Sequence, residues 1–350
     1  MSKTGLLAGQ GLLLVAMAFL LGGCGRYADF TLRVLSGGDP KMTYAWEPEP
    51  EPVLERGSGW ESRDILNPSV MPASYYGAPY LNLYSGFDGQ TWRTGLATSE
   101  DGLHWEKQGM VLEPDPQTWE GSYIAANGTG VFADRDFFYW YQSGPRYRPR
   151  IGLARSVDHG RTWRKEPAPV LTPGPRGSWD ELGVADPYFV YAETKPRFYL
   201  YLFYLGQDRA QRQRLGVARS RDGIHWEKLR TNPILELGDI GAFDENGLGE
   251  PAVWEAKGFY WMLYTGRDVH ENRRLGLARS TDGVHWSKRP AVFAGSQAWN
   301  LKVICDPSVI ATDSEVHVWF GGGDVARPDE NINGQIGFAI LRPVNATLAK

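Results

Sequence analysis

Five polar residues recur at equivalent places along the chain, and three of them are carboxylic acids. Each follows an aromatic residue by seven positions, or by eight in one case, and each opens an apolar run. The five pairs are Trp60 with Asn67, Trp119 with Asn127, Trp179 with Asp186, Phe243 with Glu250, and Trp299 with Asp306. Such a regular repeat predicts one supersecondary element packed against copies of itself. If the copies surround an axis, the five polar residues meet there, and we call them the ring residues.

The acids among the ring residues point to proton transfer. Asp186, Glu250 and Asp306 belong to three consecutive repeats, so we expect them to converge near the axis. Like charges held close together raise the pKa of at least one carboxyl, which keeps it protonated near neutral pH. A protonated acid with a second carboxylate across a sugar is the machinery of glycoside hydrolysis. The structural alternative is that these acids only start strands and cap backbone amides.

A second repeated pattern defines the element that would position these acids. A segment of the form Gly-Leu-Ala-x-Ser, with Val for Leu in one copy, is followed by Trp105, Trp163, Trp226 or Trp286. Three copies carry Asp-Gly before the Trp, which predicts type I′ hairpins. An aromatic strand precedes each copy. Each repeat therefore reads as four antiparallel strands, and such units at intervals of about 60 residues are typical of propeller blades.

The chain contains five repeats, and the N-terminal segment completes the last one. The last repeat contains three strands and ends without a hairpin Trp, whereas Trp46 stands 59 residues before Trp105 and fits the missing strand. We therefore predict an all-β fold, a five-bladed β-propeller of four-stranded antiparallel blades over residues 46–345, in which an N-terminal strand completes blade five. Closing the ring protects strand edges from aggregation. Residues 346–350 are predicted to form a C-terminal tail.

The hairpin motif Ser-x-Asp-Gly-x-x-Trp and the strand-opening acids resemble the five-bladed glycosidases of families 43, 32 and 130. The resemblance covers residues 46–345. In family 43 the first, third and fourth blades supply a base, a residue that tunes the acid, and the acid itself. By position, Asp186 resembles the tuning residue, and Glu250 in Gly249-Glu250-Pro251 resembles the general acid. The blade count argues against the six-bladed sialidases.

The first blade departs from the family pattern, because it carries Asn67 where the resemblance implies Asp. An amide cannot take a proton from water or act as a carboxylate nucleophile. One interpretation is that another acid substitutes as base or nucleophile, with Asp306 first and Asp64 second. The rival interpretation is a glycan-binding propeller that has lost catalysis. An Asn67 that hydrogen-bonds sugar hydroxyls fits both.

Other residues are candidates for contact with a carbohydrate ligand. Asn127 is the second amide among the ring residues. The five aromatic residues that precede the ring residues offer flat faces for sugar rings, although packing between blades is an equal alternative. The loops on the same face carry nine arginines, of which Arg267 is the one we assign to substrate binding, and they suggest an anionic glycan. The nine are Arg146, Arg148, Arg150, Arg209, Arg212, Arg214, Arg267, Arg273 and Arg274.

The N-terminus predicts export and lipidation. Lys3 precedes the apolar stretch from Leu12 to Leu21, and Gly22-Gly23-Cys24 resembles a bacterial lipobox. We therefore predict a signal peptide over residues 1–23, a lipid anchor at Cys24, a tether over residues 24–45, and a location in the bacterial cell envelope. An uncleaved anchor or an ordinary signal peptide is the alternative. Cys305 is then the single thiol of the mature fold and is predicted to be a buried small residue.

Composition and missing motifs narrow the function further. A net charge of −4 argues against nonspecific binding of nucleic acid. The sequence contains no phosphate-binding glycine loop, no nucleophile-elbow serine and no paired-histidine zinc motif. We therefore expect no cofactor and no metal, a carbohydrate ligand, and a monomer attached to the membrane through its lipid.

Overall fold

The computed structural model describes residues 27–72, 80–133, 136–194 and 197–345. These residues form strands almost throughout, with two short 3-10 helices at Gly59–Glu61 and Ala298–Asn300. The all-β prediction is confirmed. Within these ranges no helix is long and apolar enough to cross a membrane. The predicted signal peptide, Cys24 and the C-terminal tail lie outside the described residues.

The strands are arranged as five sequential units. Two strands come first, β1 (Tyr27–Ala28) and β2 (Met42–Pro48). Unit 1 holds β3 (Asp64–Pro72), β4 (Tyr80–Phe87), β5 (Trp92–Ser99) and β6 (Trp105–Leu112). Unit 2 holds β7 (Ile124–Ala133), β8 (Asp136–Ser143), β9 (Arg150–Ser156) and β10 (Arg164–Lys165). Unit 3 holds β11 (Gly183–Thr194), β12 (Arg197–Gln207), β13 (Gln213–Ser220) and β14 (Trp226–Leu229).

The last two units follow the same plan. Unit 4 holds β15 (Gly247–Ala256), β16 (Phe259–Arg267), β17 (Arg273–Ser280) and β18 (Ser287–Phe293). Unit 5 holds β19 (Val303–Ala311), β20 (Val316–Gly323) and β21 (Gln335–Asn345). Successive strands within each unit pair antiparallel. The N-terminal β2 pairs antiparallel with β21 and so provides the fourth strand of unit 5.

The first strands of the units face one another, and apolar side chains fill the space between neighbouring sheets. Each first strand contacts the first strand of the next unit, and β19 contacts β3. Between units 2 and 3, the ring of Trp140 stacks on Phe189 at 4.7 Å. Burial of large aromatic side chains between sheets is a major source of stability in such a fold. The first strands, each of which begins near a ring residue, are therefore held in fixed relative positions.

The aromatic residues that precede the ring residues pack inside their own units. Trp60 lies so close to Gly86 and Gly95 that a Cβ atom on either glycine would stand within 2.6 Å of its ring. The same arrangement places each remaining aromatic on glycines of its own unit: Trp119 on Gly152, Trp179 on Gly206 and Gly216, Phe243 on Gly266 and Gly276, and Trp299 on Gly322 and Gly337. These glycines are required because any side chain there would collide with the aromatic ring.

Beside each aromatic, units 1 to 4 bury an acid bonded to a tyrosine and a lysine. In unit 1 the Tyr84 hydroxyl donates to Glu61 at 2.8 Å, and Lys107 donates to the same carboxylate at 2.7 Å. The equivalent sets are Glu120, Tyr141 and Lys165; Asp180, Tyr204 and Lys228; and Asp244, Tyr264 and Lys288. A buried carboxylate needs compensating donors. The hydrogen bonds of each set supply them and link the strands of the unit.

The hairpins between the third and fourth strands differ from the predicted two-residue turns. Five residues separate Ser99 from Trp105. The Asp101 carboxylate accepts the N–H groups of Leu103 and His104, both at 2.8 Å. The prediction of type I′ turns was therefore wrong, because a side-chain-capped loop provides the reversal.

The described part of the predicted tether (24–45), residues 27–45, lies against the folded units. β1 pairs parallel with β14 at the edge of unit 3. The N–H groups of Leu32 and Leu35 donate to carbonyls of residues 282 and 281, both at 2.8 Å. Leu32 is 1% exposed, and β2 begins at Met42 rather than at Trp46. The apolar residues Leu32 and Leu35 thus pack the segment against the folded units.

Candidate active site

All five ring residues adopt the same unusual backbone conformation. Their φ angles lie between +46° and +52°, and the pairing of each first strand shifts register at that point. The left-handed region is unfavourable for most side chains but is several-fold enriched in Asn and Asp. Backbone demands alone therefore account for Asn or Asp at four of the positions. Glu250 has no such preference, which indicates that its side chain is selected for another reason.

The ring residues line one small cavity at the centre of the five units. Its volume is about 100 Å³, and its walls are the ring residues with the residues that follow each of them on the first strands. The convergence that the repeat predicted is therefore present in the structure. The acids come from units 3, 4 and 5, and the amides Asn67 and Asn127 come from units 1 and 2. The cavity thus has an acid side and an amide side.

Asp186 is a buried acid that favours its protonated form. It is 6% exposed, its Oδ1 accepts from Asn127 Nδ2 at 2.6 Å, and its Oδ2 accepts from the Glu250 N–H at 3.3 Å. Burial raises the pKa of Asp186 to about 8, and the nearby charge of Glu250 acts in the same direction. These two effects outweigh both donors, so the site favours the protonated form of Asp186.

Asp306 occupies a similar environment on the opposite side of Glu250. It is 5% exposed, and its Oδ2 accepts from the Cys305 thiol at 3.1 Å and from the Asn67 N–H at 3.3 Å. Burial, followed by the charge of Glu250, raises the pKa of Asp306 well above its ordinary value. Cys305 itself is buried, as predicted, and lies directly beside this carboxyl.

Glu250 is the most accessible of the three acids. It is half-buried, whereas both aspartates are almost fully enclosed. Its Oε2 atom is shielded from solvent and has no hydrogen-bond partner among the residues that the structure describes. A buried carboxylate oxygen without a donor is costly, and such atoms in a cavity mark a place where a ligand is expected to supply the missing contact.

A buried arginine, Arg273, belongs to the acid side, and the sequence placed it only on the rim. It is 7% exposed and donates to the Arg327 carbonyl at 2.9 Å. Burial acts to lower the pKa of its guanidinium, but the charges of Cys305, Glu250 and Asp306 overcome this effect and raise it. Arg273 thus supplies a fixed positive charge near the three acids. No motif surrounds it in the sequence, so only the fold could identify it.

Several residues predicted to bind substrate are used elsewhere. Asp64 is fully buried, and its carboxylate accepts the N–H groups of Asn331, Ile332 and Gly334. Asp64 therefore anchors a loop and does not line the cavity. The aromatic residues Trp60, Trp119, Trp179, Phe243 and Trp299 do not line the cavity either, because they pack on glycines of their own units, so their contact with a ligand stays a prediction.

Most of the nine arginines already have partners, which weakens the expectation of an anionic ligand. Arg267 pairs with Glu271 at 3.3 Å and does not line the cavity, so its role in binding stays a prediction. Four more arginines form ion pairs: Arg146 with Glu330, Arg209 with Glu181, Arg212 with Asp208, and Arg214 with Asp208 and Glu236. Within the described ranges, no group of three or more His, Cys, Asp or Glu residues is arranged to hold a metal ion.

Two known proteins match part of this chain in sequence. A relative from Mycobacterium tuberculosis (strain CDC 1551 / Oshkosh), named an uncharacterized protein, is 27% identical over 229 residues, which are 62% of this chain and 75% of the relative. A 1,2-β-oligomannan phosphorylase of Thermoanaerobacter sp. (strain X514) is 26% identical over 134 residues, 36% of this chain and 43% of that protein.

Solved structures of glycoside hydrolases resemble the whole fold. A family 130 protein, described with glycoside hydrolases that target β-1,2 mannosidic linkages in Candida mannan, superposes with a TM-score of 0.64 at 17% identity, covering 89% of this chain and 96% of that one. A thermostable family 43 glycoside hydrolase gives a TM-score of 0.56 at 15% identity, covering 82% and 92%. These likenesses concern the fold.

The family itself is shown by the sequence. The model of the "Glycosyl hydrolases family 32 N-terminal domain" matches residues 75–230 and 193–305, which together span more than half of the chain. The resemblance inferred from the hairpin motifs and strand-opening acids is thereby confirmed. The chain belongs to the glycosyl hydrolase family 32 N-terminal domain family, whose structural neighbours here are the propeller glycoside hydrolases.

Proposed function

We propose that this protein is a glycosidase that cleaves an oligosaccharide or polysaccharide at the cavity between the five units. The observation that carries the proposal is Glu250, a half-buried acid with an unpartnered carboxylate oxygen, held at φ +46° where backbone preference does not select Glu. The family membership supports the same reaction class. We further propose that the five units are the blades of a closed propeller, in which β2 closes the ring by pairing with β21.

In the proposed mechanism Glu250 protonates the oxygen of the leaving group while the glycosidic C–O bond breaks. Asp186, whose Oδ2 accepts the Glu250 N–H, orients this acid. The charges of Asp186 and Glu250 interact, so the two acids titrate as a pair, and in this mechanism Glu250 donates from the state in which it carries a proton of the pair. Asn67 and Asn127 would hold the sugar hydroxyls from the amide side.

The second carboxylate is Asp306, which would accept the proton of the attacking water or attack the anomeric carbon itself. Burial and the charge of Glu250 raise the pKa of Asp306, which disfavours the ionised form that a base or nucleophile requires. The raised pKa also favours a second candidate function, in which the protein binds glycans and lacks an effective base. Asn67, at the position where the resemblance implies Asp, points in the same direction.

Glycan-array binding combined with hydrolysis assays distinguishes the two functions. The panel includes β-1,2-oligomannan, because one relative is a 1,2-β-oligomannan phosphorylase. It also includes uronate-bearing polysaccharides, because the exposed Arg148 and Arg274 could pair with carboxylates. We expect Glu250→Gln to lower kcat by at least about 1000-fold, with little change in affinity. Hydrolysis that survives in this variant rejects Glu250 as the acid. Binding without turnover by the wild-type protein establishes the glycan-binding function.

We also propose that Cys24 carries a lipid that holds the protein at the bacterial envelope. The support is the sequence Leu21-Gly22-Gly23-Cys24 alone. Cys24→Ala should move the protein from the membrane fraction to the soluble fraction in a bacterial host. An unchanged distribution would reject the lipid anchor.

A further inference from the structure

The loops that surround the cavity mouth differ in length. They connect the second and third strands of each unit on the face where the first strands begin. In units 1, 3 and 4 they have four or five residues, and in unit 2 six. Unit 5 has eleven, residues 324–334. The longest loop therefore stands next to the shortest one, residues 88–91 of unit 1.

The long loop does not extend into solvent but is fastened over unit 1. Its last turn is bound by the Asp64 carboxylate, which accepts three of its backbone N–H groups. Ile332 is fully buried in an apolar cluster that contains Leu66, Phe87 and Trp92 of unit 1. Because both polar and apolar contacts hold the same turn, the loop has a fixed position across the start of β3.

The same loop continues to unit 2 and is bound there. Glu330 accepts a hydrogen bond from the Tyr123 hydroxyl at 2.9 Å and pairs with Arg146 at 2.9 Å. The Arg146 guanidinium also stands 5.3 Å from the centre of the Tyr123 ring. We call residues 324–334, together with Tyr123 and Arg146, the arch. The arch spans from unit 5 across unit 1 to unit 2.

Units 3 and 4 have no comparable wall in the part of the chain that the structure describes. Their loops close on themselves: Asp208 accepts the N–H groups of Ala210 and Arg212, and Asp268 accepts those of His270 and Asn272. The mouth is thus high from unit 5 across unit 1 to unit 2, and low at units 3 and 4. The longest loop therefore lies over unit 1, and only short loops stand at units 3 and 4.

We infer that this site acts on the terminal residue of a glycan chain and not on internal linkages. The inference rests on the proposed function. A chain cut internally must continue on both sides of the scissile bond, and the arch leaves room on one side only. The sugar under the arch provides the anomeric carbon, so it is the non-reducing terminal residue. Water adds to that carbon and gives a proton to Asp306, the C–O bond breaks, the leaving oxygen takes the proton from Glu250, and one monosaccharide is released per turnover.

The test uses β-1,2-mannotetraose and uronate-bearing tetrasaccharides, each in two forms. One form is reduced to the alditol at its reducing end, and the other is methylated on its non-reducing terminal residue. The wild-type protein should release monosaccharide from the first form and cleave the second at least 100-fold more slowly. In Glu250→Gln, saturation-transfer NMR should show the strongest contact at the non-reducing terminal residue.

Two variants connect the outcome to the arch. Tyr123→Phe combined with Glu330→Ala removes the bonds between the arch and unit 2, and internal products should then appear. Arg209→Gln, which breaks an ion pair with Glu181 of 3.1 Å on the low side, is the matched control and should keep terminal cleavage only. Circular dichroism and thermal unfolding confirm that both variants fold.

The outcomes separate this inference from the proposed function. Internal cleavage by the wild-type protein overturns the terminal specificity and leaves the glycosidase intact. Terminal-residue contact without turnover supports the specificity and refutes the glycosidase. A protein that binds none of the panel or array glycans overturns both. Unchanged products in the Tyr123→Phe, Glu330→Ala variant refute the bonds between the arch and unit 2 as the cause of the terminal specificity.

Discussion

Replacing Asp186 by Asn should make the protein more stable, and increasingly so as pH rises. The folded-state pKa of Asp186 is about 8, above the ordinary value of 3.8. The folded protein therefore keeps a proton that the unfolded chain releases. Stability from this proton is fully present below pH 4 and is lost as pH rises through 8. An amide at position 186 is neutral at every pH, so it removes this loss.

The structure indicates that an amide fits. In the Asp186→Asn variant the side-chain carbonyl oxygen would accept the Glu250 N–H that now bonds to the carboxylate. The new amide nitrogen would then face Asn127, which at present donates both to Asp186 and to Gln142. Because side-chain amides present either an acceptor or a donor on rotation, turning the amides of Asn127 and Gln142 restores every contact. The volume of the side chain hardly changes.

The magnitude follows from the pKa difference. Between pH 5 and pH 8 the folded wild-type protein keeps a proton at Asp186 that the unfolded chain lacks. Over these three pH units the free energy of unfolding therefore falls by up to about 1.4 kcal/mol per unit. The upper limit is therefore about 4 kcal/mol. Sharing of the proton with Glu250 and relaxation of the site reduce it, and we expect the Asp186→Asn variant to gain about 1–2 kcal/mol relative to wild type over this interval.

Denaturant unfolding gives the free energy of unfolding of the variant and of the wild type at pH 5 and at pH 8. The difference between the two proteins is taken at each pH, and the change in that difference between pH 5 and pH 8 is the effect of Asp186. Groups that titrate equally in both proteins cancel. Asp64→Asn is the matched control: Asp64 is also buried, but its carboxylate accepts three backbone N–H groups. An amide there loses an acceptor, and it should destabilise the protein at both pH values by about 1–3 kcal/mol. If the stability difference between Asp186→Asn and wild type is the same at pH 5 and pH 8, Asp186 does not hold a proton.

Three further predictions address catalysis and stability. The alkaline limb of the pH–rate profile should fall near pH 8, where Asp186 ionises; a flat profile between pH 7 and 9 would contradict the shared proton. Asn67→Asp should raise kcat on the same glycan by at least about 10-fold if the base is limiting, and an unchanged kcat would show that Asp306 suffices. Lys165→Met leaves the Glu120 carboxylate buried without its cation and should cost about 3 kcal/mol in denaturant unfolding, whereas the exposed Arg342→Gln should cost less than about 1 kcal/mol.

The sequence predicted the unit and the central meeting of the acids because both depend on repetition. A period of about 60 residues is visible without knowledge of contacts, and equivalent positions in a repeat occupy equivalent places. The buried acid, tyrosine and lysine sets repeat as well, in Glu61, Tyr84 and Lys107 for example. Their spacing in each unit could have revealed them, but charged residues are ordinarily read as surface groups.

Features set by tertiary contacts could not be predicted in this way. The aromatic residues such as Trp179 were expected at the mouth, yet their packing depends on glycines of neighbouring strands that only the pairing brings close. The arch depends on contacts between Tyr123 and Glu330, which are 207 positions apart. Arg273 joins the acids because β17 begins beside β19, and nothing in the local sequence marks that neighbour.

The shared left-handed backbone at the ring residues has a consequence for how such proteins diversify. Asn and Asp tolerate φ near +50° about equally well, so one can replace the other there without disturbing the strand. Single substitutions can therefore create or abolish a proton-transfer group while the scaffold stays intact. Descendants of one ancestor could become hydrolases, lectins or enzymes with a different nucleophile by changing which of the five places carries a negative charge. In this chain Asn67 and Asn127 are the two places where such a change is open.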